Sequence, residues 1–417
     1  MLKRLFKTLL FLFIGLLPVL LLALPGGLGW LIEHQLQKVE ITPQSVSPGF
    51  GLSKTQHQRG WFSSQVNYRI WETDPDTGSL LYETTLDGTL HHGPWFWSPP
   101  GPGWLRFSGN LDYRNQSLRE PITTSGQVGV GWIGTLIAKL DANAQRVALY
   151  PQGALNLGNG NLQLDYDLRA KSLAIGLLLG DLNISGQEFA TDQANLEVDV
   201  HRNQHNLWIG SLNLNTAPVT LNAESFASTD LQLTITGKDS TIDYLLSLSL
   251  GNEDAMYGPG HMEIGLQGLD GEALRQILVL NAEARDAVDP ELAQQNLLPQ
   301  LMQQLAPLIQ HGPKMSSQPF EINTSLGVVR GNLDFSVPPT QGVGLAGLIV
   351  GEGEARLVVP TPLSTHWRRN SLFTTMWRSL LNANFVVQQG NNYEMGIRYQ
   401  DRQLNINGRP YPLPFTP

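Results

Sequence analysis

The sequence predicts an α+β protein that is mainly β. An N-terminal transmembrane helix leads into a large antiparallel meander sheet, with a long amphipathic helix packed on the sheet's apolar face. Three observations predict this. An apolar stretch near the N-terminus matches a bilayer in length, residues 160–268 alternate apolar and polar side chains through run after run, and one strong helical stripe follows.

The anchor comes first. Lys3, Arg4 and Lys7 precede an apolar stretch from Leu9 to Ile32, and the next charge is Glu33. As a helix these 24 residues measure about 36 Å, against a hydrocarbon core of about 30 Å. The basic flank puts the tip in the cytoplasm and the body on the far side. A cleaved signal peptide is the competing reading. It needs a shorter apolar stretch and a small-x-small cleavage site, which Leu22-Ala23-Leu24-Pro25 does not supply. Pro18 and Pro25-Gly26-Gly27 predict a bend, because proline removes a backbone donor. Trp30 suits the membrane–water boundary.

The whole chain carries a formal charge of −9. Its first 32 residues hold three basic groups and no acid, which leaves −12 on residues 33–417. So acidic a body makes a poor partner, through bulk electrostatics, for nucleic acid or anionic lipid. There is no cysteine, so disulfides, thiolate metal sites and cysteine nucleophiles are excluded.

The less regular region 34–150 contains candidate strands at Phe62–Trp71, Leu80–His91 and Leu105–Tyr113. Between the last two lies an aromatic, proline-rich connection around Trp95, with Trp104 soon after. Such aromatics either pack on the sheet beneath or touch headgroups.

Residues 151–417 form the main sheet region. Leu162, Leu164, Tyr166 and Leu168 share one face, as do Leu196, Val198 and Val200, then Leu231, Leu233 and Ile235. Tyr244, Leu246, Leu248 and Leu250 continue the pattern, as do Met262, Ile264 and Leu266. Period two means one apolar face and one wet face, and short Gly, Asn and Asp breaks predict an antiparallel meander. Helices are predicted near 271–311, the longer over Pro290–Gln310 with Asp289 as N-cap. Leu298, Leu301, Met302, Leu305, Leu308 and Ile309 form its stripe, which would cover the sheet. Strands resume at Phe320–Ser325, Val328–Val337 and Glu354–Val359. A helix is expected at 371–382, then strands at Asn384–Gln388, Tyr393–Tyr399 and Gln403–Ile406.

Motifs that look like chemistry do not carry it. Gly129–Gly134 and Gly342–Gly347 both fit G-x-G-x-x-G, which works only at the strand-to-helix turn of a βαβ unit. His91 and His92 are adjacent and point to opposite faces of a strand, so they do not converge on one ion. His201 and His205 have helical spacing outside a helix, and no His-Glu-x-x-His is present. Asp165 and Asp167 share the wet face of a strand. The sequence therefore assigns no catalytic, cofactor-binding or metal-binding residue, and no cofactor.

Several short strings do carry a resemblance. Arg59-Gly60-Trp61-Phe62-Ser63-Ser64, then His92-Gly93-Pro94, then Tyr393 with Leu404-Asn405-Ile406-Asn407-Gly408 occur in order behind the anchor. Together they resemble the YdgA-like family, a bacterial domain of unknown function. The stretch Gly342–Leu381 departs from that family's pattern. The resemblance implies a single-pass protein of the bacterial inner membrane, N-terminus cytoplasmic and body periplasmic, without known catalytic residues. Its broad sheets are also similar to envelope proteins of the AsmA type and the N subunit of type II secretion, by analogy of fold alone. The matched residues have plain structural readings as turns and core.

The expectation for function is a non-enzymatic envelope protein. Its partners would be the inner membrane, through the N-terminal helix, and a lipid or other apolar ligand on the sheet, with no nucleic acid. The alternatives are an assembly partner of a secretion or motility machine and an envelope hydrolase.

Overall fold

Alternating side chains become strands throughout the computed structural model. It describes residues 49–411 apart from 75–76, 94–102, 151–152, 186–188, 222–223, 286–289, 340–350 and 370–372, together with Trp30 and His34. The expected anchor at 9–32 therefore lies almost wholly outside the described residues. Trp30 and His34 are helical and their rings stack at 5.3 Å. Among the described residues no helix is long and apolar enough to cross a membrane. The chain divides into two compact units, Met1–Gln187 and Glu188–Pro417.

The first unit opens with β1 (Phe50–Arg59), β2 (Ser63–Thr73), β3 (Leu80–His92), β4 (Gly103–Asn115), β5 (Ile122–Gly131) and β6 (Thr135–Ala142). Each pairs antiparallel with the next. A hairpin of β7 (Gln145–Ala148) and β8 (Ala154–Leu157) then leaves the meander. The chain returns through β9 (Gly160–Asp167), which pairs with β6, and β10 (Ser172–Ser185), which pairs with both β9 and β8. Leu52, Val66, Tyr68, Leu90 and Phe107 form this unit's core. In register beside it, Gly88, Gly109 and Gly126 face one another across β3, β4 and β5. A Cβ on any of them would meet neighbouring backbone at 2.0–2.3 Å, so only glycine allows these strands to approach so closely.

The second unit runs through β11 (Phe189–Arg202), β12 (Trp208–Thr216), β13 (Val219–Leu221), β14 (Glu224–Phe226), β15 (Thr229–Lys238), β16 (Thr241–Leu250) and β17 (Tyr257–Asp270). After helices α1 (Gly271–Arg285) and α2 (Pro290–Leu308) come β18 (Lys314–Thr324), β19 (Gly327–Ser336) and β20 (Glu352–Pro360). Helices α3 (Thr361–Arg369) and α4 (Thr374–Asn382) precede β21 (Val387–Gln389), β22 (Asn392–Gln400), β23 (Gln403–Ile406) and β24 (Arg409–Tyr411). The sheet order is β11-β12-β15-β16-β17-β18-β19-β20-β22-β23-β24, antiparallel throughout. Short β13 pairs with β11 and β14, and β14 meets the start of β17 in a single parallel pairing.

The long helix forms where expected but does not lie across the sheet. Helices α1 and α2 pack mainly on each other, and their main contact with the sheet is at β17. They form a hairpin inserted between neighbouring strands β17 and β18. Asp270 closes its base: Oδ1 accepts the Ala273 N–H at 2.9 Å, and Oδ2 lies 2.7 Å from Gln310 Nε2 and 3.1 Å from His311 Nε2. Helix α2 runs against α1, so its stripe does not require the sheet as a partner. The proposed N-cap Asp289 lies outside the described residues.

What covers the second sheet is instead α3 and α4. Leu363, Trp367 and Trp377 pack with Tyr257, Val329, Val359, Val386 and Tyr393 into its core. The sequence reading lacked α3 altogether. Only two of its apolar side chains, Leu363 and Trp367, are buried, too short a pattern to stand out over nine residues.

Candidate functional site

The register of the second sheet converts sequence alternation into straight apolar rows. Leu196, Leu214, Leu231, Leu248 and Met262 face one another across β11, β12, β15, β16 and β17. Beside them run Val198, Leu212, Leu233, Leu246 and Ile264, then Val200, Gly210, Ile235, Tyr244 and Leu266. All fifteen positions are half-buried, neither sealed in a core nor fully exposed. Five strands at about 4.8 Å spacing make this surface about 20 Å wide. The opposite face is polar, for example Glu197, Asn213, Gln232, Ser247 and Glu263 in one row.

One end of the apolar face is closed. Leu250, beyond the first row, aligns with Gly260, then Ile322 and Val329, and these reach the core under α3 and α4. A buried polar cluster sits in that core. Glu224 is 1 % exposed, and its Oε1 accepts the His366 Nε2–H at 2.9 Å. Trp367 Nε1 donates to Tyr257 Oη at 2.9 Å, and that hydroxyl lies 3.5 Å from Glu224 Oε1. Among the described residues Glu224 Oε2 has no hydrogen-bond partner. Phe226 stacks on Tyr257 at 4.6 Å, and Trp367 meets Trp377 edge-on at 5.1 Å. The sequence pointed to neither Glu224 nor Tyr257. Nothing local marks them, because their partner helix lies more than a hundred positions downstream.

In the first unit, two of the resemblance motifs meet. Ser64 Oγ lies 3.0 Å from His92 Nε2, and both side chains are buried. The Gly60 N–H bonds the Ser63 carbonyl at 2.8 Å to make the turn, and the His92 N–H bonds the Phe62 carbonyl at 2.8 Å. Burial pushes the His92 ring below the ordinary histidine pKa, and His57, His91 and Arg59 add to this while the Trp61 main chain opposes it. Among the described residues no carboxylate sits on the other ring nitrogen, so the pair lacks the third member of a Ser-His-Asp arrangement. His91 points the other way, to Ser108 Oγ at 3.2 Å, and burial lowers its pKa as well.

The remaining sequence candidates disperse. Gly129–Gly134 ends β5 and turns into antiparallel β6, a hairpin rather than a βαβ unit. Gly342–Gly347 and Trp95 fall outside the described residues. Asp167 Oδ1 accepts the Arg169 and Ala170 N–H groups in a turn. Asn203 Oδ1 organises the β11–β12 turn around His205. Among the described residues no three His, Asp or Glu side chains gather as a metal site would require. The closing motif is a hairpin: Asn407 and Gly408 have φ of 54° and 76°, as a type I′ turn needs. Asn407 also bonds the Gly396 N–H through Oδ1 and the Phe385 carbonyl through Nδ2.

No curated protein and no solved structure matches the chain. A family model described as "Bacterial protein of unknown function (DUF945)" matches residues 7–414. With nearly its whole length covered, the chain belongs to that family of bacterial proteins.

Proposed function

We propose that this is a non-enzymatic, membrane-anchored envelope protein of the periplasmic side, whose second sheet holds an acyl chain or another apolar ligand. The observation that carries the reading is the set of three apolar rows across β11–β17. A surface of this size left half-open on a stable sheet is a binding surface or a liability for aggregation. The rows run into the core under α3 and α4 at one end and reach buried Ile242 at the other, so the half-open stretch lies between two closed ends. The basic tip and the Leu9–Ile32 stretch support the anchor, and the ordered YdgA-like strings support the envelope location.

Native mass spectrometry of the gently purified full chain, with lipid extraction in parallel, tests this. Bound lipid is expected in the wild type. Leu233→Asp, in the middle of the central row, is expected to lose it while circular dichroism still reports the sheet. A wild-type protein free of lipid removes the groove and leaves an anchored scaffold.

A further inference from the structure

We infer that one end of the first unit's sheet is a second membrane contact, seated on the surface of an anionic phospholipid bilayer. The inference rests on this end of the unit and not on the groove in the second sheet.

Antiparallel pairing brings three turns to the same end. The β1–β2 turn, the β5–β6 turn and the β9–β10 turn all leave the sheet there, where β3 ends and β4 begins, because β1, β3, β5 and β9 run parallel to one another. Hydrogen bonds knit them into one rim. The His92 N–H reaches the Phe62 carbonyl, the Gly93 N–H reaches the Trp104 carbonyl at 2.9 Å, and the Leu168 N–H reaches the Gly134 carbonyl at 3.1 Å.

This rim collects large apolar side chains that face water. Trp61 is 59 % exposed, Phe62 55 %, Trp104 46 %, Trp132 38 %, Ile133 53 % and Leu168 58 %. Trp104 and Trp132 approach with ring centroids 6.0 Å apart. Isolated exposed apolar residues need no explanation, but five on neighbouring turns with a sixth at the start of β4 do. Their chemistry is that of the membrane interface, where tryptophan sits with its ring among headgroups.

Charge points the same way. The protein carries −9 overall, yet residues 60–62, 132–134 and 168–171 contain no acid. Arg59, Arg169 and Lys171 stand exposed around the rim. The nearest acid, Asp167, spends its Oδ1 on two turn N–H groups. An apolar tip ringed by cations inside an acidic protein complements an anionic bilayer surface. A tether does not prevent this approach. Strand β1 begins at the far end and spans about 34 Å, whereas the fourteen residues 35–48 reach at most about 46–50 Å.

The absence of cysteine allows a direct test on the full chain. Ile133→Cys and, as the control at the opposite end, Thr77→Cys each receive an environment-sensitive fluorophore. The labelled proteins are reconstituted in vesicles of phosphatidylethanolamine and phosphatidylglycerol, and in parallel kept in detergent. The label at 133 is expected to shift to the blue and become several-fold less quenched by aqueous iodide in the vesicles, while the label at 77 stays accessible. Arg169→Glu with Lys171→Glu is expected to reverse the protection at 133. Equal access at both positions in vesicles overturns the inference. Protection at 133 that survives Arg169→Glu with Lys171→Glu also overturns it, because a protein surface rather than an anionic bilayer would then be covering the rim.

Discussion

Glu224 and His366 stand 142 positions apart in sequence and 2.9 Å apart in the fold. One lies on a three-residue strand, the other on a nine-residue helix, and neither element would hold its place alone. The pair, with Trp367 bound to Tyr257, fastens α3 onto the sheet. His366→Ala leaves buried Glu224 without its imidazole donor. Leaving a buried acceptor without its partner costs about 1–3 kcal/mol. Thermal unfolding followed by circular dichroism should show the lower melting temperature. His366→Gln, which keeps a donor, should recover part of the loss.

Trp377 is fully buried, and its Nε1–H donates to Ser364 Oγ at 2.9 Å, joining α4 to α3. Trp377→Phe keeps most of the packing but leaves the buried Ser364 hydroxyl without that donor, at about 2 kcal/mol. Trp377→Ala opens a cavity and should cost about 4 kcal/mol. Denaturant titration of the two variants should preserve this order. Equal losses would mean that the helices rearrange around the site.

Gly93 separates the two ways in which a glycine can be needed. A Cβ there would lie 1.9 Å from the Gly103 carbonyl oxygen, which is backbone and cannot step aside. Gly93→Ala should therefore cost about 2–3 kcal/mol, in line with overpacking elsewhere. At Gly408 nothing lies within 4 Å of a Cβ, and only the φ of 76° is unfavourable. Gly408→Ala should cost about 1 kcal/mol. Melting temperatures of the two variants check the difference.

His92 should make the first unit sensitive to acid. Its pKa in the fold is lowered from 6.5, chiefly by burial. The unfolded chain then binds more protons than the folded one below that value. Stability is full above pH 6.5 and falls as pH drops from 6.5 towards the lowered folded value. His91 shifts in the same direction and adds to the slope. Melting temperatures between pH 8 and pH 5 should decline, and His92→Gln should flatten the decline. An unchanged slope in that variant would show that the buried ring is not the source.

Fluorophosphonate labelling separates the structural reading of Ser64 from a hydrolytic one. The hydroxyl is 1 % exposed and its histidine lacks an orienting carboxylate, so no covalent adduct is expected at Ser64. Adduct found there by peptide mass spectrometry would restore the hydrolase alternative.

Strands β9, β11, β15, β16 and β17 could be read directly because one face of each is wet, which leaves a period-two pattern along the chain. Leu162 to Tyr166 and Tyr244 to Leu250 show it within a single strand. The turns were equally legible, since Asn407-Gly408 needs positive φ and few other pairs tolerate it. The amino-acid order by itself thus determined these strands and their polar and apolar faces, while β1, β5 to β8, β10 and β12 to β14 carry no such reading. Only tertiary structure decided what lies on those faces. Helix α2 runs against α1, α3 and α4 cover one end of the second sheet, and the rows across β11–β17 stay half-open. Ser64 with His92 and Glu224 with His366 likewise exist only once distant strands are paired. Alternation records that a side chain must leave water; the partner it leaves water for is fixed by chain return over tens to hundreds of residues, which no local period encodes.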